Sequence, residues 1–164
     1  DIIETIDAWK YALGSRSPTV LVLTRQSLPF IRENIKYDTI KKGAHAIIDY
    51  DNYDGTILAS GSEVEIACEC SKMLHKNKIK VRVISFPSWE IFEKNSDNEK
   101  QKILGDKAIF AIEAGVINGW EKYVPSSNFI GMKSFGASGP YKQLYEHFGI
   151  TSESLYKLIL KKIG

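Results

Sequence analysis

The chain opens on apolar residues spaced as a helix spaces one face: Ile2, Ile6, Trp9 and Leu13 stand at i, i+4, i+7 and i+11, and Gly14 follows as a natural terminator. This predicts a helix over residues 4–13. Pro18 then leads into Thr19-Val20-Leu21-Val22-Leu23, a β-branched and apolar run too uniform for a strand with one wet face. The run reads as a strand buried on both sides, which requires neighbouring strands. The polar stretch 32–42 reads as a connector. After it the pattern restarts with an apolar run at 44–50, a turn at 51–55 and a second run at 56–60, read together as a hairpin.

Gly61-Ser62 opens the next helix, with Ser62 and Glu65 at capping-box spacing and Ile66, Ala67, Cys70, Met73 and Leu74 on one stripe. Strands follow at 80–85 and 107–113, with a short helix at 88–94 after Pro87 and a last short strand at 128–131. Helices at 141–147 and 152–163 close the chain, the second presenting Leu155, Leu158, Ile159 and Ile163 on one side. Short β-rich runs alternating with helical patterns predict an α/β class: a three-layer mixed β-sheet with helices on both faces. That body occupies residues 42–164, with 31–41 as linker. A lone helix and a doubly buried strand cannot supply their own sheet, so residues 1–30 read as the tail of a larger upstream domain.

Charge and composition narrow the function classes. In 164 residues, 22 Lys and Arg face 20 Asp and Glu, a net charge of +2, which excludes nucleic-acid binding through bulk positive charge. A chain 43% hydrophobic and 26% charged belongs with ordinary folded domains. Its longest apolar runs, at 20–23 and 108–112, fall far short of the ~20 residues that cross a bilayer, and its first residues lack the basic start and apolar core of an export signal. The expectation is a cytoplasmic protein with no membrane partner. Cys68 and Cys70, two apart on a helix, point roughly 200° apart and cannot bridge each other. His45, His75 and His147 are scattered without ligand-spaced companions, so no metal site is expected in the chain.

Candidate chemistry is sparse. No Gly-x-Ser-x-Gly elbow occurs; Ser60-Gly61-Ser62 has the place of one without its flanking glycines, and a structural cap explains it better than an anion site. The small-residue loop Gly136-Ala-Ser-Gly-Pro140 could hug a ligand or simply lead into a helix at Pro140. Glu113 ends a strand, but a single acid is no acid–base pair, and it reads as structural. Most of the aromatic residues read as core or subunit contacts. Arg25 differs in kind. It follows directly on the 19–23 run, at a strand end where open α/β sheets place ligands, and its forked guanidinium suits phosphate or carboxylate. A surface salt bridge is the other role open to it.

Several blocks, in order, resemble the C-terminal quarter of transketolases: Pro18-Thr-Val-Leu-Val-Leu-Thr-Arg-Gln-Ser-Leu-Pro29, Lys42-Gly-Ala44, Ala59-Ser-Gly-Ser-Glu-Val-Glu65, Val81-Arg-Val-Ile-Ser-Phe-Pro-Ser-Trp-Glu90, Glu113-Ala-Gly115 with Gly119-Trp-Glu-Lys-Tyr123, and Phe135-Gly-Ala-Ser-Gly-Pro140. The opening Ala8-Trp9-Lys10-Tyr11-Ala12-Leu13 is similar too, so the likeness spans nearly the whole chain. It implies a three-domain homodimeric enzyme of the pentose phosphate pathway, using thiamine diphosphate and Mg²⁺ (or Ca²⁺) to move a two-carbon ketol unit between sugar phosphates. Residues 1–30 would end the pyrimidine-binding domain, and 42–164 would be the C-terminal domain.

By the same likeness Arg25 corresponds to the arginine that holds the substrate phosphate. The cofactor, metal and catalytic residues of the family lie upstream, so none is expected in this chain, which should be inactive alone. Glu113 is not the glutamate that activates the cofactor. Departures are small: Ser27 stands where the family usually has Asn, Gly139 where it often has Ala, and Pro125-Ser126-Ser127 where a Val-Gly is common. Two other readings stay open: a related thiamine enzyme, such as dihydroxyacetone synthase or a split-subunit transketolase, and an autonomous regulatory module with a small ligand at the Gly61 or Gly136 loop.

Overall fold

The structure, a computed structural model, describes residues 1–32 and 39–164. Helix α1 (Ile2–Gly14) starts at Asp1, whose side chain accepts from the Glu4 N–H. After a 3₁₀ turn at Thr39–Lys42 come β1 (His45–Ile48), β2 (Gly55–Ala59), α2 (Glu63–Lys76), β3 (Val81–Ser85), α3 (Trp89–Phe92), α4 (Asp97–Leu104), β4 (Ala108–Ile112), β5 (Phe129–Ile130), α5 (Tyr141–Phe148) and α6 (Ser152–Ile163). The strands form one sheet in the order β1-β3-β2-β4-β5. β1 runs antiparallel to β3, and the other pairings are parallel. This is the predicted α/β mixed sheet.

Every residue of β2 and β3 is buried, as central parallel strands require. Alternation along them builds two cores. Ile57, Ala59, Val81, Val83, Phe110 and Ile112 face α2 and α6 through Ala67, Cys70, Leu74, Leu155 and Ile159. Leu58, Ile84 and Ala111 face the opposite layer, where Phe86, Phe92, Trp120 and Val124 pack. Aromatic edges interlock there, with Phe86 and Phe92 ring centroids 4.6 Å apart and Trp89 and Trp120 at 5.3 Å. Gly43 (φ +73°) lies so close to α3 that a Cβ would stand 2.3 Å from the Phe92 nitrogen. Among the described residues no helix is long and apolar enough to cross a membrane.

Five expectations are corrected. The runs at 44–50 and 56–60 are not a hairpin, because β3 lies between β1 and β2 and pairs with each of them. Residues 19–23 form no strand and are largely exposed, with Val20 at 85% and Val22 at 92%, since no neighbouring strand pairs with them among the described residues. Helix α1 buries Ile3 and Asp7 rather than the Ile2, Ile6, Trp9, Leu13 stripe, which stays exposed. Ser62 makes no capping hydrogen bond, because its hydroxyl donates to Glu63 Oε1 at 2.7 Å. The stretch 32–42 is more than a connector: Arg32 and Ile40 are buried, while 33–38 lies outside the described residues.

Polar contacts, rather than the apolar stripe, fix α1 to the body. The Arg32 guanidinium donates to Asp1 Oδ1 at 2.9 Å, the Thr39 hydroxyl donates to Asp7 Oδ2 at 2.8 Å, and the Ser85 hydroxyl donates to Glu4 Oε1 at 2.6 Å. His45 lies beside Glu4, with Nε2 3.4 Å from Oε1, and burial lowers its pKa below the usual 6.5.

Candidate functional site

The sheet order places a switch point in the fold. From β2 the chain crosses to β3 on one side, then returns to β4 on the other, so the loops leaving β2 and β4 diverge at their carboxyl ends, where such sheets hold ligands. Ser60 leaves β2 there and Glu113 leaves β4. The Ser60 hydroxyl donates to Glu113 Oε2 at 2.7 Å. Glu63, 3% exposed in the first turn of α2, takes hydrogen bonds from the Ser62 hydroxyl at 2.7 Å and from the Tyr145 hydroxyl of α5.

Two carboxyl groups thus meet in a largely dry place. Burial pushes the Glu113 pKa up to about 7, the Ser60 hydrogen bond opposes the rise, and the facing Glu63 carboxylate adds to it. Tyr145, half-buried and donating to Glu63, is raised to about 12. The loop satisfies its own backbone: the Glu63 and Val64 N–H groups return to the Ser60 and Gly61 carbonyls. An acid-lined, self-satisfied turn suits an anion poorly, which favours the structural reading of Ser60-Gly61-Ser62. The Gly136 loop is open, with Phe135 98% exposed and nothing within 4 Å of a Cβ built at Gly136.

Arg25 sits on the surface in a bend, and among the described residues it makes no hydrogen bond or ion pair. Its guanidinium is available for an anion. Its neighbour Gln26 is half-buried. The structure brings Tyr145 of α5 against Glu63, whereas Glu113 and Arg25 remain in separate roles. Sequence reasoning missed Glu63 and Tyr145. Glu63 adjoins the Ser60-Gly61-Ser62 turn, whose strand-to-helix position is a signal in itself, but its partner Tyr145, 82 residues further along the chain, carries no local signal.

Cys68 and Cys70 are both free and buried, and burial raises their thiols to about 11 and about 12. Among the described residues no group of three or more His, Cys, Asp or Glu side chains is placed to hold a metal ion.

Residues 43–151 match the family model described as the transketolase-like TK C-terminal domain. The transketolase of Sinorhizobium medicae is 43% identical over 158 residues, covering 93% of this chain and 23% of that protein. Among solved structures, the transketolase from Leishmania mexicana superposes with a TM-score of 0.88 at 38% identity, over 96% of this chain and 23% of that one. The Pichia stipitis transketolase solved in complex with sedoheptulose 7-phosphate gives a TM-score of 0.90 at 33% identity, over 99% of this chain and 24% of that one. The chain thus spans about a quarter of the length of these relatives. Because the family model lies across the sheet and its crossovers, and the likeness runs over nearly every residue, this chain belongs to the transketolase family and carries its C-terminal domain.

Proposed function

We propose that this chain works as the C-terminal part of a transketolase: a cytoplasmic, homodimeric, thiamine-diphosphate enzyme that moves a two-carbon ketol unit between sugar phosphates. Arg25 then holds the substrate phosphate. The observation that carries this reading is the exposed Arg25 guanidinium, unengaged by the described residues, within a block that follows the family pattern. The Pichia stipitis relative, which binds a sugar phosphate, supports the substrate class.

The exposed apolar side chains of α1 and of residues 20–23, with Phe30, support residues 1–30 as part of the pyrimidine-binding domain, whose other elements would cover them. Residues 31–41 are then the linker, and 42–164 the C-terminal domain. The donor set of the described residues does not fit a metal–diphosphate site. The carboxylates of the switch point would repel a diphosphate, which assigns the cofactor and its reactive carbon to the rest of the enzyme. The chain's own part is to orient a dianionic substrate and to support the fold.

In the full-length enzyme Arg25→Ala should raise KM for xylulose 5-phosphate about tenfold to a hundredfold, the worth of a charge-assisted contact, and change KM for unphosphorylated xylulose far less. Equal losses on both sugars would make Arg25 structural. The chain alone, supplied with thiamine diphosphate and Mg²⁺, should show no turnover of xylulose 5-phosphate with ribose 5-phosphate; robust turnover would overturn the dependence on the other domains.

A further inference from the structure

Helix α1 meets the rest of the chain along an acidic edge. Asp1 is taken by the Arg32 guanidinium, and Asp7 by the hydroxyl and the N–H of Thr39. Glu4, between them, reaches the sheet itself. His45 and Ser85 stand opposite each other on the antiparallel pair β1 and β3, and both turn toward its carboxylate. The Ser85 hydroxyl donates to Glu4 Oε1 at 2.6 Å, while His45 Nε2 lies 3.4 Å from the same oxygen.

His45 is the unfinished part of this seam. Its side chain is 12% exposed, and among the described residues neither ring nitrogen has a hydrogen-bond partner. A histidine kept for structure usually spends its N–H on a fixed acceptor, which commits its protonation state. His45 carries no such commitment. Glu4 and Asp7 face it from α1, with the Asp1 amino group at the start of that helix, and Arg32 faces it from the connector. Lys41 and Lys42, on the turn beside β1, are exposed. An imidazolium in the closed seam would be a second cation shut away from water beside the buried Arg32.

We propose that the seam between α1 and the β1–β3 edge is a proton-operated latch, closed while His45 is neutral and loosened when it takes up a proton. Burial is the largest influence on the ring and lowers its pKa below 6.5. Arg32 and, least, the Asp1 amino group act in the same direction, and Glu4 and Asp7 oppose them without cancelling the effect. Because the docked state binds the proton less readily, docking is fully supported above about pH 6.5 and weakens as pH falls below it. Opening the seam lets the imidazolium reach water, so α1 is the element that acid sets free.

The test is hydrogen exchange of the α1 amides in the full-length enzyme at pH 7.5 and pH 5.5, corrected for the intrinsic pH dependence of exchange, with α2 and α6 as internal references. Protection of α1 relative to those helices should fall about threefold to tenfold at the lower pH, the weight of one net polar contact. His45→Phe, which keeps a ring and cannot titrate, and His45→Gln should each abolish that fall, whereas Glu4→Gln should leave it in place. Unchanged or increased relative protection of α1 at pH 5.5 overturns the latch, and that comparison needs no variant to fold. A fall that survives both His45 variants, or that Glu4→Gln removes, overturns it as well, since the titrating group would then be a carboxylate.

Discussion

The Ser60 hydroxyl and the Glu113 carboxylate, 2.7 Å apart, close the carboxyl ends of two adjacent parallel strands with one hydrogen bond. That bond lowers the Glu113 pKa against burial and the facing Glu63, which together raise it from 4.5 to about 7. A raised carboxyl favours the folded state while protonated, so its contribution is full below about pH 4.5 and is lost as pH rises through about 7. Glu113→Gln, which mimics the protonated acid, should therefore gain stability relative to the wild type with rising pH, on the order of 2 kcal/mol by pH 8.5. Chemical denaturation at pH 5 and pH 8.5 checks the sign. Ser60→Ala should move the Glu113 titration midpoint further upward, readable by carboxyl ¹³C NMR.

Gly43 combines a positive φ with backbone 2.3 Å from where its Cβ would be. Neither problem can be relieved by rotating a side chain, because the obstacle is the first turn of α3. Gly43→Ala should cost at least about 2 kcal/mol. Gly136→Ala, with open space around it, should leave the denaturation midpoint nearly unchanged.

Arg32 holds Asp1 with both side chains nearly buried, at 8% and 3% exposure. Arg32→Ala leaves that carboxylate buried without its countercharge, at a cost of roughly 3–5 kcal/mol. Arg32→Lys should recover only part, since an ammonium cannot reproduce the fork that reaches Asp1 through Nε and Nη2. The loss should show as a lowered thermal midpoint and as faster proteolysis after α1.

Cys68 and Cys70 combine burial with thiols raised to about 11 and about 12, so almost no thiolate exists at neutral pH. Neither should react with a thiol-specific disulfide reagent in the native protein at pH 7.5, and both should react once the chain is unfolded in guanidinium. Stoichiometric labelling of the folded chain would contradict the packing of α2 on the sheet.

Much of the fold was legible because its signals are local. The buried runs of β3 and β4 and the 3.6-residue period of α2 and α6 are properties of a few neighbouring residues, and they appear where the pattern put them. Helix α4 carries a local signal that hydrophobic patterning does not show: Ser96 and Glu99 form a capping box, but residues 97–104 bury none of their side chains, so no apolar stripe marks them. The opening stripe misled for the opposite reason. Its period is helical, yet the face that docks is chosen by Arg32, Thr39 and Ser85, which lie elsewhere in the chain.

The amino-acid order alone determined the class of the fold, the succession of its elements and the motif blocks that mark its family, because each is written in short-range periodicity and spacing. Only the tertiary structure decided that β3 slips between β1 and β2, that Ser60 and Glu113 meet at the switch point beside the buried Glu63, and that Tyr145 meets Glu63 across 82 positions of chain. Those outcomes depend on which surfaces exclude water together. Burial, with the pKa shifts and fixed hydrogen bonds it brings, is a property of the assembled neighbourhood and not of any one segment.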